Sequence, residues 1–274
     1  MTYLLKSTML TLTAAALASA PAIAQSPSTP QETAAQMDKN PASDTVNADY
    51  NDFLAKYVVP QGDINLVKYA DVTPEDKAKL DAYINSLANS GPPSGSDEAV
   101  MAYWFNLYNA ETVSVIVDNY PVKSIRDIGG SLFSPGPWDE KTLTVAGKPM
   151  SLNNIEHDTV RKQYNEPRIH YGFNCASIGC PNLKTTAWTA ETFEADLTQA
   201  AKDFVNSPRG IAVDSKGRIT ASSIFKWYKE DFGGSDASVL AHAAQYATGN
   251  KKSALEAAKK INKFDYDWSL NITK

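Results

Sequence analysis

The segment 97–119 restricts the fold of this chain more than any other part of its sequence. Ser96 precedes it as a helix cap, and Asp97 and Glu98 place negative charge in the first turn, where the helix dipole favours it. The apolar residues toward the C-terminal end of the segment include Val113, Val115, Ile116 and Val117. A helix that is apolar on most sides is buried in a folded protein. We therefore predict a central buried helix around which the rest of the chain packs.

Shorter elements on both sides of this helix indicate the fold class. Helical spacing or helix-start residues predict helices from about Tyr50, from Thr73-Pro74, across 154–164, from Thr189, and over 224–232, 237–247 and 253–261. Turn residues around Gly147 and Gly217 predict two hairpins, and the alternation over 168–173 predicts a strand. The chain shows no internal repeat and no second linker. These elements together indicate one α+β domain at 49–274, mostly helical around a small sheet with hairpins.

The N-terminal residues 1–24 have the features of a cleaved export signal. Lys6 supplies the charged start, a short apolar run follows, and Ala22-Ile23-Ala24 provides a cleavage site before Gln25. The run is shorter than the roughly 18 residues that a membrane span needs. We therefore expect a periplasmic or secreted protein with no membrane span after signal cleavage. The following segment, 25–48, is rich in Ser, Pro, Thr, Gln, Ala and Asp, a composition that predicts a disordered linker.

Charge and composition narrow the range of partners. The formal net charge of −5 gives no electrostatic reason to expect a nucleic acid. The 13 tyrosines and 5 tryptophans predict a substantial aromatic core or groove. We therefore expect a small-molecule or peptide substrate of unknown identity, and no nucleic acid.

Several separated motifs resemble those of one protein family. The segments are YWFNLYNA at 103–110, LNNIEH at 152–157, IHYGFNCASIGCP at 169–181, IFKWYKEDF at 224–232 and YDWSLN at 266–271. In this order they are similar to motifs of the family named domain of unknown function 547. The resemblance covers a core of about 97–205, and its strongest match is the segment 169–181. As its name implies, the family brings no established reaction, so the chemistry has to be argued from the residues.

Cys175 is the candidate nucleophile. A cysteine thiolate needs a base, which His170 or His157 can supply, and Asn106 or Asn109 can orient the imidazole that is used. A regular strand would put positions 170 and 175 on opposite faces and about 16 Å apart, at about 3.3 Å per residue. A direct contact between them therefore requires a turn, whereas His157 on the preceding helix has no such restriction. The leading hypothesis is a thiol-dependent hydrolase or acyl transferase.

Four residues are candidates for binding. Ser177 lies in a loop of small residues whose backbone N–H groups can stabilise an oxyanion, and Cys180 ends that loop. Trp104 belongs to a set of tryptophans that can line a groove, and Arg168 lies just before the strongest motif.

The same two cysteines allow other interpretations. A Cys175–Cys180 disulfide would be expected in an oxidising compartment and would suit a non-catalytic binding or scaffold module of the cell envelope. A redox role is less directly indicated, because four residues separate the cysteines instead of the two of a C-x-x-C motif. Together with His157 and His170 the cysteines match no compact zinc pattern, so we predict neither a metal nor another cofactor.

Overall fold

A computed structural model describes residues 46–129 and 136–273, and in it helices outnumber strands. The α-helices are α1 (Ala48–Tyr57), α2 (Pro74–Ser90), α3 (Asp97–Asn119), α4 (Arg161–Gln163), α5 (Phe193–Asn206), α6 (Ile224–Trp227), α7 (Asp236–Tyr246) and α8 (Gly249–Ala257). A π-helix covers Asn154–Val160, and 3-10 turns cover Tyr69–Asp71, Ile125–Asp127, Pro167–Tyr171 and Lys229–Phe232. The predicted class, α+β and mostly helical in one domain, is confirmed.

The strands form three small sheets. They are β1 (Val58–Gln61), β2 (Ile64–Val67), β3 (Leu143–Val145), β4 (Lys148–Met150), β5 (Ile211–Val213), β6 (Ile219–Ser222) and β7 (Lys263–Asp265). The hairpins β3–β4 and β5–β6 are the two that the sequence predicts. The hairpin β1–β2 was not predicted, and neither was β7, which adds to β6 in parallel.

Helix α3 is the predicted buried helix. The Ser96 hydroxyl accepts a hydrogen bond from the Ala99 N–H at 3.4 Å and so caps its first turn. Every residue from Met101 to Ile116 is buried. Helices α2 and α5 pack against it, and the larger of two hydrophobic clusters forms around it. The smaller cluster lies between α5, α7 and the three-stranded sheet.

The strand predicted over 168–173 is wrong, since this segment begins with the 3-10 turn Pro167–Tyr171. Pro167 occupies the first position of the turn, where its fixed φ suits a helical conformation. The Glu166 side chain caps the turn by accepting the Arg168 N–H at 2.9 Å. The alternation misled the prediction because Ile169, His170 and Tyr171 are all buried, so the segment has no solvent face. The rule that a strand separates positions 170 and 175 therefore does not apply.

The N-terminal predictions concern residues that the structure leaves out. The proposed signal peptide and nearly all of the linker, 1–45, lie outside the described residues. Within the described ranges, no helix has the length and apolar character needed to cross a membrane.

Truncating a valine in α3 should cost stability according to its burial. Val113 is 1% exposed, whereas Val117 near the end of the same helix is only partly buried. Val113→Ala removes two buried methyl-sized groups and leaves a cavity, so we expect a loss of about 2 kcal/mol in the free energy of unfolding. Val117→Ala is the matched control and should cost less than half as much. Equal losses in urea denaturation would contradict the central position of α3.

Candidate functional site

Cys175 and Cys180 are joined by a disulfide in the loop that follows the 3-10 turn Pro167–Tyr171. Their Cα atoms lie 6.2 Å apart, and Cys180 is 2% exposed while Cys175 is only partly buried. Ala176 between them has a φ of 57°, a left-handed conformation that is costly for any residue other than glycine. The Asn174 side chain helps to hold it there by accepting the Ala176 N–H at 2.9 Å.

This disulfide corrects the leading hypothesis from the sequence. A thiol-dependent hydrolase needs a free Cys175 thiolate, and a sulfur that is bonded to another sulfur is neutral and cannot ionise to a thiolate. Cys175 is therefore not a free nucleophile in this structure. The disulfide that the sequence left open as an alternative is the state observed.

Hydrogen-bond donors surround the two sulfur atoms. The Cys175 backbone N–H donates to Cys180 Sγ at 2.9 Å. The Tyr266 hydroxyl oxygen lies 3.0 Å from Cys175 Sγ and 3.1 Å from Cys180 Sγ. The Ser177 hydroxyl lies 2.8 Å from that of Tyr266 and 3.6 Å from Cys180 Sγ. Each hydroxyl carries one hydrogen, so when one donates to the other, the second is left to donate to a sulfur.

Tyr266 reaches the disulfide because a glycine lies beneath its ring. A Cβ atom added at Gly179 would lie 2.9 Å from three carbon atoms of the Tyr266 ring, closer than real Cβ contacts. The loop and the C-terminal tail are also joined by the backbone, since the Gly179 N–H donates to the Asp267 carbonyl at 2.8 Å. Burial raises the pKa of Tyr266, so its hydroxyl remains protonated and able to donate at neutral pH.

His170 is a buried imidazole that an acidic residue orients. Its Nε2 lies 2.6 Å from Oδ2 of Asp231, and its ring stacks on Tyr228 with centroids 4.0 Å apart. Arg161 donates to both carboxylate oxygens of Asp231, at 2.7 and 2.9 Å. Burial by itself would raise the pKa of Asp231, but the contacts with His170 and Arg161 outweigh it and hold that pKa far below the usual aspartate range. Asp231 is therefore a carboxylate that fixes the imidazole.

Glu156 lies between the two histidines. Its Oε1 is 3.7 Å from Nδ1 of His170 and 3.9 Å from Nδ1 of His157, distances longer than hydrogen bonds. Burial alone would raise the pKa of this carboxyl group, but its interactions with the His170 and His157 rings outweigh burial and lower that pKa. Glu156 is therefore an ionised carboxylate although it is 7% exposed. It and His157 lie on the π-helix, a conformation that is frequent at functional sites.

These groups meet in one cavity of about 330 Å³. Both cysteines and both histidines named above line it together with Glu156, Asn153 and Ile224. The remaining lining residues are aromatic, namely Tyr108, Trp138, Phe173, Trp227, Tyr228, Tyr266 and Trp268. The cavity is thus mostly apolar with a few convergent polar groups, which is the usual character of a small-molecule site.

The two candidate asparagines lie behind the cavity wall. The Asn109 amide donates to the Gly172 carbonyl at 2.9 Å, and its oxygen accepts the Asn174 N–H at 2.8 Å. Asn106 bonds the carbonyl and the N–H of Trp188, both at 2.8 Å. The hydrogen bonds described for both asparagine side chains are to backbone groups. The residue that hydrogen-bonds the imidazole of His170 is instead Asp231.

The candidate binding residues divide between the cavity and other places. Ser177 contacts the sulfurs, and Cys180 lines the cavity. Trp104 is 4% exposed and packs edge-on against Tyr103 in the core around α3. Arg168 forms ion pairs with Glu166 and Glu194, at 2.6 and 3.0 Å, outside the residues that line the cavity.

Sequence reasoning assigned no role to Asp231, Tyr228 and Tyr266, which complete the site, whereas Trp227 and Trp268 belong to the tryptophans that were expected to line a groove. Asp231, Trp227 and Tyr228 lie in the segment 224–232, and Tyr266 and Trp268 lie in the segment 266–271. Both segments were recognised as family-like, and this was the signal that could have directed attention to them. Within 46–129 and 136–273, no three His, Cys, Asp or Glu side chains are placed to hold a metal ion.

The fold and site describe an α+β domain with a disulfide in the wall of an aromatic cavity. Comparison with known families matches residues 93–205 to the family described as "Protein of unknown function, DUF547". The chain therefore carries a DUF547 family domain over these residues, as the motifs had suggested. No curated protein and no solved structure matches the chain. Both cysteines and both cavity histidines lie within the matched segment, whereas Asp231 and Tyr266 lie beyond it.

Replacing Asp231 by asparagine should make stability less dependent on acid pH. The pKa of Asp231 is lower in the folded chain than its ordinary value of 3.8, so its contribution is present above that value and is lost as the pH falls below it. We expect Asp231→Asn to lower the free energy of unfolding by about 1–3 kcal/mol at pH 7, because charge-assisted hydrogen bonds are lost. The difference from the parent protein should shrink as the pH falls below 4.

The control for this prediction is Asp265→Asn. Asp265 pairs with Lys263 at 2.9 Å on the surface, where ion pairs contribute little, and we expect no measurable change. Urea denaturation at several pH values measures both variants. A difference for Asp231→Asn that stays constant down to pH 2 would show that the aspartate does not interact as a carboxylate.

Proposed function

We propose that this protein carries out thiol–disulfide exchange with a thiol substrate that binds in the aromatic cavity. The observation that carries the proposal is the position of the disulfide, which lines the cavity with hydrogen-bond donors directed at its sulfurs. The small loop that the bond closes also argues against a purely structural role. A sequence separation of 5 gives a chain-entropy stabilisation of roughly 2 kcal/mol, less than half of that for a long loop.

The two sulfurs differ in a way that sets the direction of attack. Cys175 is partly exposed in the cavity, whereas Cys180 is 2% exposed. The attacking group in such exchange is a thiolate, and access to the attacked sulfur controls the rate. We therefore assign Cys175 Sγ as the atom attacked and Cys180 Sγ as the leaving group.

The surroundings of Cys180 suit a leaving thiolate. Its sulfur accepts the Cys175 N–H at 2.9 Å and lies 3.1 Å from the Tyr266 hydroxyl. Hydrogen bonds to a developing negative charge stabilise it more than they stabilise the neutral disulfide, and this difference is what lowers a reaction barrier. His157, whose side chain is 32% exposed, is the candidate base for the proton of the incoming thiol.

The reaction is balanced with a dithiol as the second reactant. The substrate thiolate bonds to Cys175 Sγ, the Cys175–Cys180 bond breaks, and its electron pair goes to Cys180, which takes up a proton. The second thiol of the substrate then attacks the substrate sulfur of this mixed disulfide and releases Cys175. The substrate leaves as a disulfide, and the protein gains two electrons and two protons.

The proposed location is consistent with this chemistry. The export signal predicted at 1–24 would bring the protein to the periplasm or the exterior, where disulfides persist. The alternative is a non-catalytic binding or scaffold module of the envelope, in which the Cys175–Cys180 bond only constrains the loop.

A pair of cysteine variants tests the proposal. In Cys180→Ser the partly exposed Cys175 is free, and we expect rapid formation of a mixed disulfide with 2-hydroxyethyl disulfide. In Cys175→Ser the rate of the buried Cys180 should be about one tenth of that of Cys175 or lower, because access limits exchange. Mass spectrometry of acid-quenched samples measures both rates. Equal rates, or no adduct with either folded variant, would leave the binding module as the better description.

The hydroxyl of Tyr266 supplies a second test. Tyr266→Phe keeps the ring but removes a donor to the sulfurs, so reduction of the otherwise unchanged protein by dithiothreitol should slow roughly fivefold, the equivalent of one hydrogen bond of about 1 kcal/mol. Tyr120→Phe is the control, because Tyr120 is 36% exposed and lies outside the cavity lining. An unchanged rate in a Tyr266→Phe protein of normal stability would remove Tyr266 from the mechanism.

A further inference from the structure

We infer that the cavity binds organic ammonium cations, so that its thiol substrate carries a positively charged amine. The inference rests on the proposed function only for the thiol, since binding of a cation can be measured without any exchange. It is based on three features of the cavity: its connected aromatic rings, its charge and its size.

Four aromatic rings form one connected group along the cavity. The ring of Trp268 contacts those of Tyr266, Trp227 and Trp138, with centroids 4.6, 5.6 and 5.7 Å apart. Trp227 and Tyr266 also contact each other, at 4.8 Å. Trp227 is 47% exposed, an unusual exposure for a large apolar side chain, and its ring therefore has a face available to a ligand. Faces of Trp and Tyr rings attract cations because the ring quadrupole places partial negative charge on them.

The charge of the cavity has the matching sign. Among the described residues that line it, Glu156 is the sole acidic residue and none is Lys or Arg. The two histidines of the lining flank Glu156, with their Nδ1 atoms 3.7 and 3.9 Å from its Oε1. The lowered pKa of Glu156 means that this carboxylate is ionised at neutral pH. The guanidinium group of Arg161, which lies over the Tyr228 ring, is bonded to both oxygens of Asp231, so its charge is already compensated.

Two rings of the cavity lining already contact cationic side chains of the protein itself. The guanidinium carbon of Arg161 lies 4.8 Å from the centroid of Tyr228, and that of Arg126 lies 5.2 Å from the centroid of Trp268. Both rings also line the cavity. Two of the rings that line the cavity therefore already have a cation over one face, within the roughly 6 Å expected of such contacts.

The volume limits the ligand to a small one. A cavity of about 330 Å³ is at the lower end of the range for small-molecule sites. It suits a substituted ammonium group with a short chain that leads toward the disulfide. A large polymer would engage the cavity only through such a terminal group.

The test compares choline with its neutral isostere, 3,3-dimethylbutan-1-ol. We expect the full-length oxidised protein to bind choline at least about tenfold more tightly than the neutral alcohol, as measured by titration calorimetry at pH 8. Trp227→Ala should weaken choline binding about fivefold, the equivalent of one cation–ring contact of about 1 kcal/mol, whereas Tyr120→Ala should leave it unchanged. Glu156→Gln should reduce the preference for choline, because the carboxylate is lost while the rings remain. If Glu156→Gln does not fold, Trp227→Ala decides the matter, because its side chain is exposed.

The outcomes separate this inference from the proposed exchange reaction. Equal binding of the two ligands, no binding of either, or unchanged choline binding by Trp227→Ala would overturn the cation site, even if the cysteine variants behave as expected. Selective choline binding without any exchange would support the cation site and remove the exchange reaction. If both hold, cysteamine should reduce the disulfide faster than 2-mercaptoethanol does when the two are compared at equal thiolate concentration, and Glu156→Gln should diminish that preference.

Discussion

Two asparagine side chains of the buried helix α3 hold the disulfide loop against the core. Asn109 bonds the Gly172 carbonyl and the Asn174 N–H, and Asn106 bonds both polar backbone groups of Trp188. Water does not reach these amides, so protein groups have to satisfy them. The backbone that leads into the loop and the backbone that follows it are therefore both tied to one rigid element. The cavity and its disulfide depend on this attachment.

The C-terminal tail closes the loop from the opposite side. The Ile178 N–H donates to the Ser269 carbonyl at 2.8 Å, and the Asn271 N–H donates to the Ala176 carbonyl at 3.1 Å. Because the tail follows the loop in this way, it carries Tyr266 to the sulfurs and Trp268 to the lining of the cavity. The site is therefore shared between the matched family segment and residues that lie well beyond it.

Much of the fold could be predicted from local patterns. Ser96 and the apolar run after it located α3, and turn residues located two hairpins, because caps, turns and apolar faces are properties of neighbouring residues. The strand predicted over 168–173 failed for the same reason. Alternation predicts a strand only when one face is exposed, and burial of this segment on all sides is decided by the elements packed around it. The strand β7 was missed because its pairing with β6 bridges more than 40 residues of chain.

The sequence by itself determined which side chains can carry chemistry, namely two cysteines and two histidines within recognisable motifs, and where the buried centre of the fold lies. Only the tertiary structure decided their state and partners. It joined Cys175 to Cys180, placed Asp231 against His170, and directed Tyr266 at the sulfurs. The physical reason is distance: a hydrogen bond or a disulfide depends on ångström-scale separations between atoms. Such separations arise only when distant parts of the chain pack together, and no local pattern of residues encodes them.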